Sequence, residues 1–306
     1  MPTERPCIGG SWRVLARLGA RGRGTRCGRR LATDSCCGPV EVWNVSTGKH
    51  RFTRPVVDGK TTWVQTLGWS DSGDLLAIAV NGYKRGDGET VILDRSGAQL
   101  AALPEDPGQM PRSVSFSPDG HLLATTRWGF ASFVDPTDMN TRIWDWQRGE
   151  VVTTLNTFAK LAVFDPTGQR IATAHSQEGR ADVWDAQTGH KIVTLTAPAP
   201  ISAIAFSPDG ETLATGHDDG TIRLWDTNTG VQQMVLAGHV RDVAHVVFSP
   251  DGSKLASADA DGLVRVWALD LDDLIDIAQQ RLTSTQRTLS ESECRQYLHV
   301  DHCPDT

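Results

Sequence analysis

The sequence has few cysteines, few tyrosines and no long apolar run. Six cysteines occur in 306 residues, and none lies between Cys37 and Cys294, so they form no disulfide framework and we expect reduced thiols. The longest purely apolar run, Leu75 to Val80, is far shorter than the ~20 residues of a membrane-spanning helix. No apolar stretch behind the basic N-terminus resembles a signal-peptide core. These absences predict a cytoplasmic protein without a membrane partner.

An excess of basic residues is also missing. The net charge is −7, which argues against a duplex-binding surface over the whole chain, because phosphate binding needs a basic face. We therefore expect no nucleic-acid partner. The chain does contain 29 glycines and 10 tryptophans, which suggests many tight turns and a packing position that recurs.

Three phrases recur in fixed order. Phe-Ser-Pro-Asp-Gly begins at Phe116, Phe206 and Phe248, with weaker copies at Trp69 and Phe164. A Leu-Ala-Thr phrase or a close variant follows each, and it also occurs at Leu31 to Thr33. The third phrase is an apolar run that ends in tryptophan, at Trp43, Trp144, Trp184, Trp225 and Trp267, with Ile92-Leu93-Asp94 as the degenerate copy.

The period of these phrases is about 40 to 42 residues between successive tryptophans from Trp144 to Trp267. A period of ~40–45 with four short strands per unit is typical of a β-propeller. Alternating stretches such as Ile201 to Phe206 place every second side chain between neighbouring units. Pro-Asp-Gly makes a turn, because proline presets φ and glycine accepts positive φ.

On these phrases, residues 29 to 268 resemble WD-repeat proteins. The resemblance implies an all-β, WD40-type β-propeller of about six recognisable blades that acts as a protein-interaction platform, without catalysis or a cofactor. The first unit lacks a recognisable first strand and the last lacks a fourth, so the blades could be part of a seven-bladed or longer array. An unclosed ring would leave unpaired edges that invite self-association.

The resemblance also implies a structural hydrogen-bond network. It joins a histidine before the first strand of a blade, a serine or threonine in the second strand, an aspartate in the next turn and the tryptophan of the third strand. The last repeat offers His239, Ser257, Asp261 and Trp267, and the repeat before it offers Thr215, Asp219 and Trp225.

The two ends differ from the repeats. Residues 1–28 are rich in arginine and read as a disordered basic segment or a mis-called start; a nucleic-acid-binding arm rests on charge alone. Residues 269–306 predict a helical tail, because Leu271, Leu274, Ile275, Ala278 and Leu282 fall on one helical face. The tail resembles the end of large bacterial signalling proteins that carry a STAND-type NTPase, a kinase or a regulator domain ahead of WD repeats. This implies a sensor role, or a truncated fragment of such a protein.

Other chemical readings are weaker. Gly59-Lys60-Thr61 ends like a phosphate-binding loop, but Arg54 stands where that motif needs its first glycine. Cys294, His299, His302 and Cys303 could hold zinc, yet their spacing matches no common zinc framework, so we expect no metal. An enzyme with its site in the central channel would need polar groups at the starts of the first strands. Those starts are apolar instead, at or beside Val64, Val114, Leu161, Ile201 and Val243.

Two long turns predict a partner-binding patch. The connection between Thr125 and Thr141 carries Trp128, Phe130 and Phe133, and the preceding unit carries Tyr83, Lys84 and Arg85 in a turn from Asn81 to Glu89. Both turns join second to third strands, so they emerge on one face of adjacent blades. Exposed aromatic residues are typical interface anchors. The alternative is that the three aromatic side chains fold back over the blade edge.

Overall fold

The computed structural model describes residues 30–33, 39–44, 47–54, 62–82, 88–106, 109–129, 140–175 and 178–270, together with Ile275 and Gln279. The basic N-terminal segment 1–28 lies outside these residues, and so does the helical stripe predicted for the C-terminal tail, apart from Ile275. All elements described in this part of the chain are strands.

The strands follow one another through the chain. They are β1 Arg30–Thr33, β2 Val40–Asn44, β3 His50–Arg54, β4 Thr62–Trp69, β5 Leu75–Gly82, β6 Glu89–Asp94, β7 Gln99–Pro104, β8 Gln109–Phe116, β9 Leu122–Gly129, β10 Thr141–Asp145, β11 Glu150–Leu155, β12 Leu161–Phe164, β13 Arg170–Ala174, β14 Arg180–Asp185, β15 Lys191–Thr196, β16 Ile201–Phe206, β17 Thr212–His217, β18 Thr221–Asp226, β19 Gln232–Ala237, β20 Val243–Phe248, β21 Lys254–Asp259 and β22 Val264–Ala268.

Consecutive strands pair antiparallel into six sheets, as the repeat predicts. The second to fifth sheets have four strands each, β4–β7, β8–β11, β12–β15 and β16–β19. The first sheet, β1–β3, and the sixth, β20–β22, have three strands among the described residues. The architecture is therefore all-β and propeller-like, and each sheet is a meander made by short turns.

The Ser-Pro-Asp-Gly turn between the first and second strands of a sheet is held by its own side chains. In the third sheet, Ser117 Oγ donates to Asp119 Oδ1 at 2.5 Å and accepts the backbone N–H of Leu122 at 2.9 Å. Gly120 has a φ of +77°, a conformation that glycine adopts without steric cost. The repeated phrase thus encodes a repeated turn.

Neighbouring sheets pack face to face through alternating side chains. Ile143 packs against Phe164 and Ile171 of the fourth sheet. Trp144, the next residue along β10, packs instead against Ile92 and Leu103 of the second sheet. In the third, fourth and fifth sheets, the apolar residue before the tryptophan therefore faces the following sheet, and the tryptophan faces the preceding one.

A hydrogen bond joins the tryptophan of the third strand to the second strand in each of the last four sheets. The indole N–H donates to Thr125, Thr173, Thr215 and Ser257 hydroxyl groups at 2.8–3.0 Å, from Trp144, Trp184, Trp225 and Trp267 respectively. The indole nitrogen is buried in the interface between sheets, where an unpaired donor would cost about 1–3 kcal/mol.

A second polar group follows two residues after each of these hydroxyls, and it contacts the connection that enters the sheet. Arg127 binds Asp106, His175 binds the Thr157 hydroxyl at 3.0 Å, and Asp259 binds His239 at 2.9 Å. In the fifth sheet His217 Nδ1 donates to the Ala199 carbonyl at 2.9 Å, while its Nε2 lies 2.7 Å from the Thr215 hydroxyl. These side chains fix where each connection meets its sheet.

The acid of the last network is Asp259 rather than Asp261. His239 bridges Asp259 and the Ser257 hydroxyl, which lies 2.6 Å from its Nε2. Strand β21 continues as far as Asp259 and turns its side chain inward. Asp261 lies in the turn beyond, where it is exposed and forms an ion pair with Arg241 at 3.4 Å.

Asp219 is also outside the network of its sheet. Its carboxylate accepts the backbone N–H and the hydroxyl of Thr221 at 2.9 and 2.6 Å, which holds the β17–β18 turn. The buried His217 fills the place that the sequence pattern assigns to a histidine from the entering segment, where this repeat has Ala-Pro-Ala-Pro. A histidine from within the strand therefore replaces one from outside it.

We predict that Asp259→Ala and Asp261→Ala differ sharply in stability. Loss of Asp259 leaves the buried His239 without its carboxylate and should lower the free energy of unfolding by about 1–3 kcal/mol. Asp261→Ala removes an exposed ion pair and should change it by less than about 1 kcal/mol. Urea unfolding of both variants measures the difference. Equal losses would mean that Asp259 is not the acid on which the network depends.

Candidate functional site

Two long connections leave the same end of the second and third sheets. The first joins β5, which ends at Gly82, to β6, which begins at Glu89; the second joins β9, which ends at Gly129, to β10, which begins at Thr141. The predicted patch residues in these connections, Tyr83, Lys84, Arg85, Phe130 and Phe133, lie outside the described residues. Trp128 is in β9 opposite Met110, and its side chain is not among those described.

The end of the first connection lies against the strand that is paired with the start of the second connection. The first connection returns at Gly88, where an added Cβ would lie 2.8 Å from Pro111 Cδ and 2.9 Å from the Gln109 carbonyl oxygen. Gln109 begins strand β8 and is paired with Gly129, from which the second connection leaves. Strand β8 therefore separates Gly88, at the end of the first connection, from Gly129, at the start of the second.

A partly buried ionic cluster lies beside these positions. Arg127 is 1% exposed, and it donates to Asp106 Oδ2 at 2.8 Å and to the Asn140 carbonyl at 3.3 Å. Arg142 also binds the Asp106 carboxylate. Asp106 lies between β7 and β8, Arg127 at the end of β9, and Asn140 just before β10. The cluster therefore ties the end of the second connection to the connection between the second and third sheets.

Glu105 is the other acid of this cluster. Its backbone N–H donates to the Gly88 carbonyl at 3.1 Å, which joins it to the root of the first connection. Its carboxyl is buried 3.8 Å from Arg127 Nε. Burial raises the pKa of Glu105 to about 7, although the Arg127 and Arg142 guanidinium groups act in the opposite direction.

Sequence reasoning missed this cluster. The signal was a charged residue inside an apolar strand, in the phrase Leu-Leu-Ala-Thr-Thr-Arg from Leu122 to Arg127. A long arginine is seldom fully buried unless it is paired, so its burial at a strand position implies acidic partners nearby. Nothing in the local sequence indicates that those partners are Glu105 and Asp106, which precede Arg127 by about twenty residues.

The fourth sheet contains a comparable acid. Asp182 is fully buried and is bound by Arg180 at 2.8 Å, by His175 at 3.2 Å and by the Thr194 hydroxyl at 2.5 Å, with Lys191 at 3.6 Å. Burial alone would raise the pKa of Asp182, but the hydrogen bonds from its neighbours lower it to about 2. Every partner comes from the same sheet, so this cluster is part of the scaffold.

The first strands of the second to sixth sheets, where a central-channel site would need polar groups, carry apolar side chains near their starts. Val114, Ile201 and Val243 are buried, and Val64 and Leu161 are half-buried. Within the described ranges, no group of three or more histidine, cysteine, aspartate or glutamate side chains is arranged to hold a metal ion. The four Cys and His residues of the tail and the Gly59-Lys60-Thr61 phrase lie outside those ranges. No helix of the described part is long and apolar enough to cross a membrane.

We predict that Glu105→Gln stabilises the protein at high pH. The pKa of Glu105 in the folded protein, about 7, lies above the ordinary value of 4.5. The free energy of unfolding of the wild type therefore falls as the pH rises from 4.5 to 7, and it stays at this lower level above pH 7. Removing the charge should raise the free energy of unfolding by about 2–3 kcal/mol at pH 8 and by little at pH 4.

Asp106→Asn is the contrasting variant. Burial alone would raise the pKa of Asp106, but its hydrogen bonds with Arg127 and Arg142 lower it, so this variant should lose stability at pH 8. Urea unfolding at both pH values measures the two effects. A Glu105→Gln variant that is less stable than wild type at pH 8 would contradict the prediction.

Comparison with known proteins agrees with the repeats. The family model described as WD domain, G-beta repeat, matches residues 104–145, 189–226 and 230–268. Each matched segment begins near the fourth strand of one sheet and covers the first three strands of the next sheet.

Three curated proteins illustrate the relationship. WD repeat-containing protein 1 of Bos taurus is 30% identical over 69% of this chain and 34% of its own length. The serine-threonine kinase receptor-associated protein of Gallus gallus is 30% identical over 57% of this chain and 46% of its own. Nuclear distribution protein PAC1 of Fusarium vanettenii is 31% identical over 34% of this chain and 27% of its own. The chain spans less than half the length of these relatives.

A solved structure supports the fold. The crystal structure of the computationally designed Ika8 protein superimposes with a TM-score of 0.59 over 79% of this chain and 68% of that chain, at 21% sequence identity. Identity at this level shows the fold alone. With the family match and the six antiparallel sheets, these comparisons establish that the chain carries WD repeats in a β-propeller-like fold.

Proposed function

We propose that the chain is a non-catalytic protein-interaction scaffold that binds its partner with the two long connections of the second and third sheets. The observation that carries the proposal is the contact of Gly88, at the end of the first connection, with Gln109, whose strand partner Gly129 precedes the second connection. Two connections with neighbouring bases can present one continuous surface to a partner. Binding residues often lie on loops that a rigid scaffold positions.

The ionic cluster supports this role, because it holds the bases of the connections in place. Arg127 fixes Asn140 at the end of one connection, and the backbone of Glu105 fixes Gly88 at the end of the other. Ordering a loop on binding costs conformational entropy, so a fixed base reduces what the partner must supply.

The chemistry of the proposed surface favours an acidic peptide with apolar side chains. Trp128, Phe130 and Phe133 would provide aromatic anchors, and Lys84 and Arg85 would provide positive charge beside Tyr83. One relative is named for its association with a kinase receptor, which is a role of the same kind.

We further propose a sensor role in cytoplasmic signalling, which rests on the resemblance of residues 269–306 to the ends of bacterial signalling proteins with a STAND-type NTPase or kinase module. In such a protein the repeats would recognise the signal and the other module would respond. Co-purification of a separately expressed NTPase or kinase module with this chain, lost when residues 269–306 are removed, would support that role.

We predict that serine at Trp128, Phe130 and Phe133 abolishes peptide binding without unfolding the protein. Peptides selected from a random displayed library on the wild type should bind the triple variant at least about a hundredfold more weakly, because each of the three aromatic anchors contributes about 1–2 kcal/mol. Isothermal titration calorimetry with the selected peptides measures the loss.

The matched control replaces three exposed apolar residues of outer strands, Leu100, Val152 and Ile192, with serine, and its binding should equal that of the wild type. A triple aromatic variant that unfolds would show that the side chains cover the edge of the sheet, and the proposed surface would be wrong. Equal loss of binding in both variants would also contradict it.

A further inference from the structure

Two acceptors compete for the Nε–H group of Arg127. The side chain is 1% exposed, and its Nε donates to the Asn140 carbonyl at 3.3 Å. The Glu105 Oε2 atom lies 3.8 Å from the same nitrogen, which is beyond hydrogen-bond distance. A displacement of the guanidinium by about 1 Å would therefore exchange one acceptor for the other.

The Asn140 contacts hold the end of the second connection. Asn140 is the residue directly before β10, and a second nitrogen of Arg127 donates to its side-chain oxygen. Both hydrogen bonds join Asn140 to β9, the strand from which the second connection leaves. The guanidinium therefore closes the base of this connection.

Glu105 has an oxygen that no described group binds. Its side chain is 1% exposed, and Oε2 has no hydrogen-bond partner in the described part of the chain. An ionised carboxylate in this position would be buried without a hydrogen bond to that oxygen, which is costly, whereas the carboxylic acid carries no charge. The arrangement in which Arg127 binds Asn140 therefore suits the protonated acid.

The other charges around Glu105 do not remove this mismatch. Within the described ranges, the further charged groups that act on Glu105 are Arg142 of β10 and the adjacent Asp106. Glu89 of β6 is opposite Pro104, so it lies on the alternate face of the strand pair. Burial outweighs both guanidinium groups and raises the pKa of Glu105 to about 7. Glu105 therefore loses its proton near neutral pH.

Proton loss changes which acceptor is stronger. A hydrogen bond to a carboxylate is shorter and roughly twice as strong as one to a neutral carbonyl. Once the proton of Glu105 has been released to solvent, Oε2 is the better acceptor for Arg127 Nε. Arg142 also binds the Asp106 carboxylate, so Asp106 keeps a cation when the Arg127 guanidinium moves.

We propose that loss of the Glu105 proton moves the Arg127 guanidinium from Asn140 to Glu105 and releases the end of the second connection. The base of the connection is closed while Glu105 is protonated and open once it is ionised. Control of partner binding by this movement rests on the proposed function, but the movement itself does not.

NMR spectroscopy of the full chain between pH 5.5 and 8.5 tests the movement. In the wild type, the Arg127 Nε–H proton signal is expected to shift downfield with the same midpoint, about 7, as the carboxyl carbon signal of Glu105. In Glu105→Gln the Arg127 signal is expected to keep its low-pH position. Glu89→Gln removes a neighbouring carboxylate and is the matched control, which is expected to titrate like the wild type.

Hydrogen exchange followed by mass spectrometry measures the release. The wild type and Glu105→Gln are compared at the same pH, so that the pH dependence of the chemical exchange rate cancels. Between pH 5.5 and 8, the ratio of wild-type to variant exchange rates in residues 138–142 is expected to rise roughly tenfold or more, because ionisation of Glu105 is linked to opening. Residues 207–211, the turn between β16 and β17, are expected to keep a constant ratio.

Three results would overturn the proposal. An Arg127 signal that stays constant while Glu105 ionises would show that the guanidinium remains on Asn140. A Glu105 midpoint below about 5 would show that a cation already stabilises its carboxylate. An equal rise of the exchange ratio in residues 207–211 would assign the effect to unfolding of the whole chain. The wild-type titration decides the first two even if Glu105→Gln does not fold, and no readout uses a partner, so failure of the proposed partner surface would leave all of them unchanged.

Discussion

The hydrogen bond from a tryptophan indole to a threonine or serine hydroxyl is the interaction on which the stacked sheets depend. The tryptophan fills the space toward the preceding sheet, and its one polar atom must be paired there because water cannot reach it. In the second sheet both partners are replaced together, Thr by Ile78 and Trp by Leu93, and both side chains are buried. Removing a donor and its acceptor at once leaves nothing unpaired, so the interface tolerates the exchange.

The residue two positions after this threonine or serine binds the connection that enters the sheet. Arginine, histidine, histidine and aspartate occupy this place in the third to sixth sheets, and each has a partner of the required kind. Arg127 pairs with Asp106, and Asp259 pairs with His239. The residue at this position is therefore a polar one that can bind a group of the entering connection, and its type differs with the group that the connection offers. In the third sheet the partners are the two acids Glu105 and Asp106, and their contacts with Arg127 and Gly88 also hold the bases of the two long connections.

This arrangement relates the scaffold to the proposed function. The apolar faces and indole hydrogen bonds hold the sheets together, and the partly buried ionic cluster holds the bases of the connections that we propose bind a partner. Burial raises the pKa of Glu105 to about 7 although two guanidinium groups act in the opposite direction, so this carboxyl costs stability as the pH rises toward neutral.

The sequence alone was sufficient for the repeated features. The period of about 40 residues, the Ser-Pro-Asp-Gly turns and the Trp-to-Thr pairing are local or recur at constant spacing, so the all-β, propeller-like fold and the adjacent positions of the two long connections followed from pattern. Three things required the tertiary structure: Asp259 in place of Asp261, the pairing of Arg127 with two acids about twenty residues away, and the exposure of Val264 and Val266 in the sixth sheet. Whether a strand continues two residues further, which distant acid meets a buried arginine, and whether another sheet covers a valine all depend on packing between segments, which no local pattern records.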